Sequence, residues 1–171
     1  MIKKAIYIIL LSFLMVSCGS SKNISTYKKP KKVKNKSASS LKNPTIADKV
    51  VWTAVTYKGV PYRYGGMNRK GMDCSGLIYT SFKQRNVTVP RTSGELYSKS
   101  RDISLRKVKR GDLLFFKTSR KRGKVNHVGL VTSIDNGNIK FIHSTTSRGV
   151  LVTSLYNDYW KKAFIKAKRI L

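Results

Sequence analysis

Residues that carry most enzyme chemistry are scarce in this chain. Its 171 residues include two cysteines, two histidines and seven Asp plus Glu, against 36 Lys plus Arg, for a formal net charge of +29. One cysteine and two histidines without paired spacing form no recognisable zinc signature, so no metal site is expected. The longest apolar run, Ala5 to Val16 broken only by Ser12, is about 12 residues long, whereas a bilayer-spanning helix needs roughly 20. A membrane-spanning anchor is therefore excluded for that run. The lack of acids predicts an anionic partner, and the plain alternative is a solvated basic surface that keeps the chain soluble.

The short apolar run has another use. Lys3 and Lys4 precede it, and it ends in Leu14-Met15-Val16-Ser17-Cys18-Gly19. Residues 1–18 thus read as an export signal, and the ending resembles a bacterial lipobox in which Cys18 is acylated and becomes the mature N-terminus. Met15 stands where that pattern prefers Leu; the alternative is a plain secretory signal cut nearby. Gly19 is not the acidic residue that retains enterobacterial lipoproteins at the inner membrane, so the expected address is the outer membrane, facing the periplasm. An exported chain meets phosphate-bearing lipids and anionic wall components rather than nucleic acid, and no nucleic-acid partner is expected.

Residues 19–43 show no apolar periodicity and carry Lys28, Lys29, Lys31, Lys32, Lys34 and Lys36 around Pro30. Such like-charged, weakly apolar sequence is predicted to be a disordered tether, with an end-to-end distance of about 25 to 30 Å or more. Residues 44–171 are then one domain of ordinary size, with no sign of oligomerisation.

With Cys18 acylated, Cys74 has no disulfide partner in the mature chain and its thiol stays available. It stands in Asp73-Cys74-Ser75-Gly76, where a loop turns into the apolar Leu77-Ile78-Tyr79. A thiol at a helix N-terminus sits among unpaired N–H groups that favour the thiolate. His127 opens Val128-Gly129-Leu130-Val131 and His143 closes Phe141-Ile142, both in strand-like sequence. Each could be structural alone, as a free cysteine is often an inert core residue; together they suggest a thiol hydrolase.

The elements divide by period. Thr45 with Asp48 predicts a capped first helix ending near Gly59, Cys74 to about Gln84 a second, and Thr92 with Glu95 a short third. Strands are expected at Asp112–Lys117, His127–Ser133, Ile139–Ser144, Val150–Leu155 and Lys162–Ile170, with Asn136-Gly137 as a tight hairpin. Helices followed by an antiparallel sheet of about five or six strands make an α+β fold. Alternation puts His127, Gly129 and Val131 on one face and Phe141 with His143 on one face of the next strand, so the two imidazoles are expected within reach of each other, with the Cys74 helix packed on that face.

Six segments, taken in order, resemble the NlpC/P60 family of cell-wall peptidases: Tyr62-Arg63-Tyr64-Gly65-Gly66, Asp73-Cys74-Ser75-Gly76-Leu77, Pro90-Arg91-Thr92-Ser93, Gly111-Asp112-Leu113-Leu114-Phe115-Phe116, His127-Val128-Gly129-Leu130 and Ile142-His143-Ser144. The resemblance implies a papain-like fold and cleavage of peptidoglycan peptides, either D-γ-glutamyl-diamino acid bonds or D-Ala-meso-diaminopimelate cross-links. It implies Cys74 as nucleophile, His127 as base, His143 as the residue orienting it, Tyr62 near the oxyanion, and Asp73 and Ser75 lining the substrate pocket. No cofactor is implied. Lys109-Arg110 replace the Pro that commonly precedes Gly-Asp, and no SH3-like wall-binding domain is present, which leaves targeting to the lipid. The rival classes are a non-catalytic wall-binding lipoprotein and a thiol acyltransferase of related fold.

Overall fold

Thr45 and Asp48 open the domain with a reciprocal cap: the Thr45 hydroxyl accepts from the Asp48 N–H at 3.1 Å, and the Asp48 carboxylate accepts from the Thr45 N–H at 3.0 Å. Two of the helix's orphan donors are thereby satisfied, and helix α1 runs Ile46–Val55, burying Val50, Val51 and Ala54. Gly59, at φ +83°, turns the chain after it. The computed structural model describes residues 43–119 and 124–171, all within the second of two units into which the chain divides, Ser37–Leu171. The export signal, Cys18 and the tether up to residue 42 lie outside the described residues.

A two-stranded hairpin follows, β1 (Met67–Asn68) paired with β2 (Gly71–Met72). Helix α2, Cys74–Lys83, starts directly after it. Helix α3, Ser93–Lys99, carries a second capping box made by Thr92 and Glu95. Then come β3 (Arg101–Ile103), a 3-10 turn (Leu105–Lys107), β4 (Leu113–Phe116), β5 (His127–Asp135), β6 (Asn138–Thr145), β7 (Gly149–Ser154), helix α4 (Asp158–Ala163) and β8 (Phe164–Arg169). The six longer-range strands form one antiparallel sheet in the order β3-β8-β4-β5-β6-β7, so the fold is α+β as the sequence predicts. Among the described residues no helix is long and apolar enough to cross a membrane.

Four of the expected strands match to within two residues at each end, and the hairpin is tight. Asn136 at φ +49° and Gly137 at φ +80° join β5 to β6, the pair of left-handed residues that a type I′ turn requires. The expected strand Lys162–Ile170 is corrected at its start. Asn157 caps α4 by accepting from the Tyr159 N–H at 3.1 Å, which holds residues up to Ala163 helical, and extended structure begins only at Phe164. The short strand β3 was not foreseen; it is held by pairing with distant β8 and by Asp102–Lys168 at 2.9 Å, neither of which leaves a local periodicity.

Burial on both faces explains the unbroken apolar run in β4. Leu113 and Phe115 join a core under α1 and α2 that includes Val50, Leu77, Ile78, Phe82, Val128, Leu130 and Ile142. Leu114 and Phe116 face the other way, into a second core with Val131, Phe141, Trp160 and Ala167. Each fully buried side chain of this size contributes roughly 1.5 to 3 kcal/mol. Asp48, Asp73, Asp102, Asp112 and Asp135 all sit in ion pairs within the domain.

Candidate active site

Asp73 builds the start of α2. Its carboxylate accepts from the Gly76 N–H at 2.6 Å, the Gly65 N–H at 2.8 Å and the Ser75 hydroxyl at 3.2 Å. Arg91 grips both carboxylate oxygens, with Nη1 at 3.1 Å and Nη2 at 2.8 Å, and donates to Ser75 Oγ at 2.9 Å. Burial opposes the charge, yet the Arg91 guanidinium and the two N–H groups hold the carboxyl below its ordinary range. Gly76 is required by a close approach: a Cβ there would lie 2.1 Å from the Gly66 carbonyl oxygen. The loop Tyr62–Gly66 can therefore lie directly on the first turn of the helix. Asp73 and Ser75, expected to line a substrate pocket, are engaged in this clamp.

Cys74 is the first residue of α2 and is partly exposed, with its thiol free. Burial pushes the thiol up to about 11, the nearby Asp73 charge adds to the rise, and the N–H groups of Val128, Ser75 and Cys74 itself pull against both. The helix start does favour the thiolate, as the sequence suggests, but desolvation is the larger effect. The resting thiol is protonated.

Its contact with Val128 locates it. Val131 donates to the Asp112 carbonyl beside β4, so the two-residue alternation turns the Val128 N–H toward β6. Pairing of β5 with β6 begins only at Leu130 and Ile142, and the start of α2 occupies the mouth where the strands separate. Ser144, at the far side of that mouth, donates to the Met72 carbonyl at 2.7 Å. The Val128 N–H that acts on the thiol belongs to the residue after His127 in β5.

The two histidines meet. His127 Nε2 is 3.0 Å from His143 Nδ1, and His143 Nε2 is 3.0 Å from Thr153 Oγ1. The two residues are 8% and 0% exposed. Trp160 stacks on His127 at 5.1 Å and meets His143 edge-on at 4.4 Å. Gly129, two residues on from His127 along the same face of β5, admits the Phe141 ring, which a Cβ would approach to 2.3 Å. Burial lowers His127 to about 4; it lowers His143 to about 2, with the charges of His127 and Arg148 adding to the effect. Both rings are neutral at neutral pH.

The expected packing of the Cys74 helix on the histidine face is corrected. Cys74 packs with the α1 and α2 core, whereas the imidazoles lie on the opposite face with Phe116, Phe141 and Trp160. The cause is α4, of which the expected strand took in only the last two residues: its Trp160 fills the histidine face, and Gly129 offers no side chain for another helix.

Tyr62 bridges to Met72, and its hydroxyl pKa is raised by burial and then by the charges of Cys74 and Asp73. Among the described residues no group of three or more His, Cys, Asp or Glu could hold a metal ion. Thr153 and Trp160 escaped the sequence reading; a lone strand threonine and a tryptophan near a basic stretch carry no motif. Arg91 stood in a motif, but nothing in its spacing pointed to Asp73.

A free thiol on the first residue of a helix and a buried imidazole pair on an antiparallel sheet are the parts that a cysteine peptidase uses. Residues 59–169 match the model of the NlpC/P60 family, and the chain belongs to that family. It is 40% identical over 116 residues to the probable endopeptidase NlpC of Escherichia coli K12, covering 67% of this chain and 72% of that one. It is 33% identical over 132 residues to the murein DD-endopeptidase MepS/murein LD-carboxypeptidase of the same strain, covering 77% and 66%. A crystal structure of an NLP/P60 family protein similar to lipoprotein from Staphylococcus aureus superposes with TM-score 0.66 at 28% identity, over 75% of this chain and 42% of that one.

Proposed function

We propose that the chain hydrolyses amide bonds in the stem or cross-link peptides of peptidoglycan, using Cys74, His127 and His143 as a triad. The observation that carries the reading is the His127 to His143 contact: Nε2 of His127 is engaged by His143, which leaves Nδ1 for the thiol. Family membership and the endopeptidase relatives support the substrate class, either D-γ-glutamyl-diamino acid or D-Ala-meso-diaminopimelate bonds.

In this mechanism the neutral thiol gives its proton to His127 Nδ1 as it attacks the amide carbonyl, so the charged pair forms during reaction. His143 holds the ring in place and accepts from Nε2–H. The tetrahedral oxyanion is stabilised by the Cys74 N–H and the Tyr62 hydroxyl. The imidazolium protonates the leaving amine, the C–N bond breaks to a thioester, and water then releases the acid and restores the thiol. Asp73, Ser75 and Arg91 hold the Tyr62 loop over the helix start, and that loop forms the wall of the substrate pocket.

Acylation of Cys18 would fix the domain to the envelope as a monomer on the tether of residues 19–43, at the outer membrane facing the periplasm. The test is incubation of the purified protein with cross-linked muropeptides, read by mass. New products of hydrolysis, absent with Cys74→Ser, are expected. Binding without cleavage would instead identify a wall-binding lipoprotein, and acyl transfer without hydrolysis a thiol acyltransferase.

A further inference from the structure

We propose that Thr153 is a positioning residue of the thiol site: its Oγ1 is the accepting end of a directed chain, His127 to His143 to Thr153, that keeps His127 Nδ1 bare toward Cys74. The inference rests on the peptidase reading and extends it to the edge of the sheet. All three side chains lie on one face, on consecutive strands. Thr153 pairs with Phe141, and His143 with Leu151, so Thr153 stands diagonally to His143 on β7, the last strand of the sheet.

The polarity follows from proton counting. A base that takes the thiol proton at Nδ1 must carry its own proton on Nε2. That N–H can only donate to His143 Nδ1, 3.0 Å away. A neutral His143 that accepts at Nδ1 must carry its proton on Nε2, and this N–H has Thr153 Oγ1 at 3.0 Å. The same direction is needed once His127 is an imidazolium. The opposite order, with Thr153 donating inward, puts a proton on His127 Nδ1 and leaves no base for the thiol. Thr153 is half-buried on an edge strand, so its own hydroxyl proton can be given to water while the oxygen accepts.

Without that oxygen, the productive tautomer would bury an unpaired His143 N–H, whereas the reverse tautomer would bury only an unpaired lone pair, which folded proteins tolerate better. Removing the hydroxyl should therefore tilt the pair toward the unproductive order. Thr153→Val keeps the β-branched shape and strand preference; Thr153→Ser keeps the oxygen.

The experiment uses the purified full chain and two readouts: steady-state kinetics on cross-linked muropeptides, and nitrogen-15 NMR of the ring tautomers. Expected for the parent is His127 protonated on Nε2. Thr153→Val should lose about tenfold or more in kcat with KM and Tm little changed and move His127 toward the Nδ1–H form, and Thr153→Ser should restore both. A parent that shows His127 as Nδ1–H, a Val variant with parental kcat and tautomer, or a Ser variant as impaired as Val would each overturn it. Should the parent fail to cleave muropeptides, the peptidase reading falls while the NMR comparison still decides the role of Thr153.

Discussion

His127 and His143 face each other with their rings nearly perpendicular, at 87°, and a nitrogen of each 3.0 Å apart. Two buried neutral imidazoles at this distance must share one proton between them, so each fixes the other's tautomer. The two rings have unequal partners: both nitrogens of His143 are engaged, by His127 and by Thr153, whereas the pair engages only Nε2 of His127.

Loss of activity should follow that inequality. Cys74→Ser should abolish turnover of muropeptides with the fold intact, and His127→Ala should come close to abolishing it. His143→Ala should lower kcat by about ten- to a hundredfold, since orientation is one contribution among several. Rates measured by chromatography of the products check this; a fully active Cys74→Ser protein would remove Cys74 from the chemistry.

Alkylation reports the resting protonation state. With the thiol held up to about 11 and His127 down to about 4, iodoacetamide should react slowly with Cys74 at pH 7 and speed up through the alkaline range. The rate is read by mass spectrometry across pH. Fast, flat alkylation from pH 5 to 8 would show instead a standing thiolate and imidazolium.

Stability should fall on the acid side. Burial keeps both imidazoles below their ordinary 6.5, so as pH drops below that value the unfolded chain takes up protons that the folded one refuses. The loss begins near 6.5 and continues until about 4 for His127, and further for His143, at about 1.4 kcal/mol per pH unit for each ring. Asp73 and Asp48, whose carboxyls are held low, add a loss of the same sign at still lower pH. Urea midpoints at pH 7, 6 and 5 should descend steadily, and His143→Gln should flatten the descent; equal midpoints would mean that the rings are solvated in the folded protein.

The clamp around the helix start should be intolerant. Arg91→Met leaves the Asp73 carboxylate buried without its cation, a change worth about 3 kcal/mol, and Gly76→Ala drives a methyl into the Gly66 carbonyl. Both should lower Tm and activity together, whereas Lys83→Ala, on the last turn of the same helix, should leave both nearly unchanged. Calorimetry and turnover on the three variants separate these outcomes.

Much of this site could be read from the chain. Capping pairs Thr45 with Asp48 and Thr92 with Glu95 are local, and both helices start where those residues put them. The Asn136-Gly137 turn set the pairing of β5 with β6, and alternation then brought His127 to His143. What stayed hidden depends on contacts between distant segments. Trp160 covers both imidazoles from a helix whose cap, Asn157, is followed by Lys161 and Lys162 in a stretch that also suits a strand. The side on which α2 packs is not legible in the chain, because alternation sorts a strand's faces without saying which element covers either. Thr153 touches His143 only through sheet register, and desolvation of Cys74, which reverses the pull of the helix start, is invisible until the core is assembled.

The tight turn at Asn136 and Gly137 is exposed and stands at the other end of β5 from His127, roughly 30 Å away at the usual rise along a strand. A fluorophore or affinity handle grafted there would report on where the molecule travels in the envelope without entering the reaction centre.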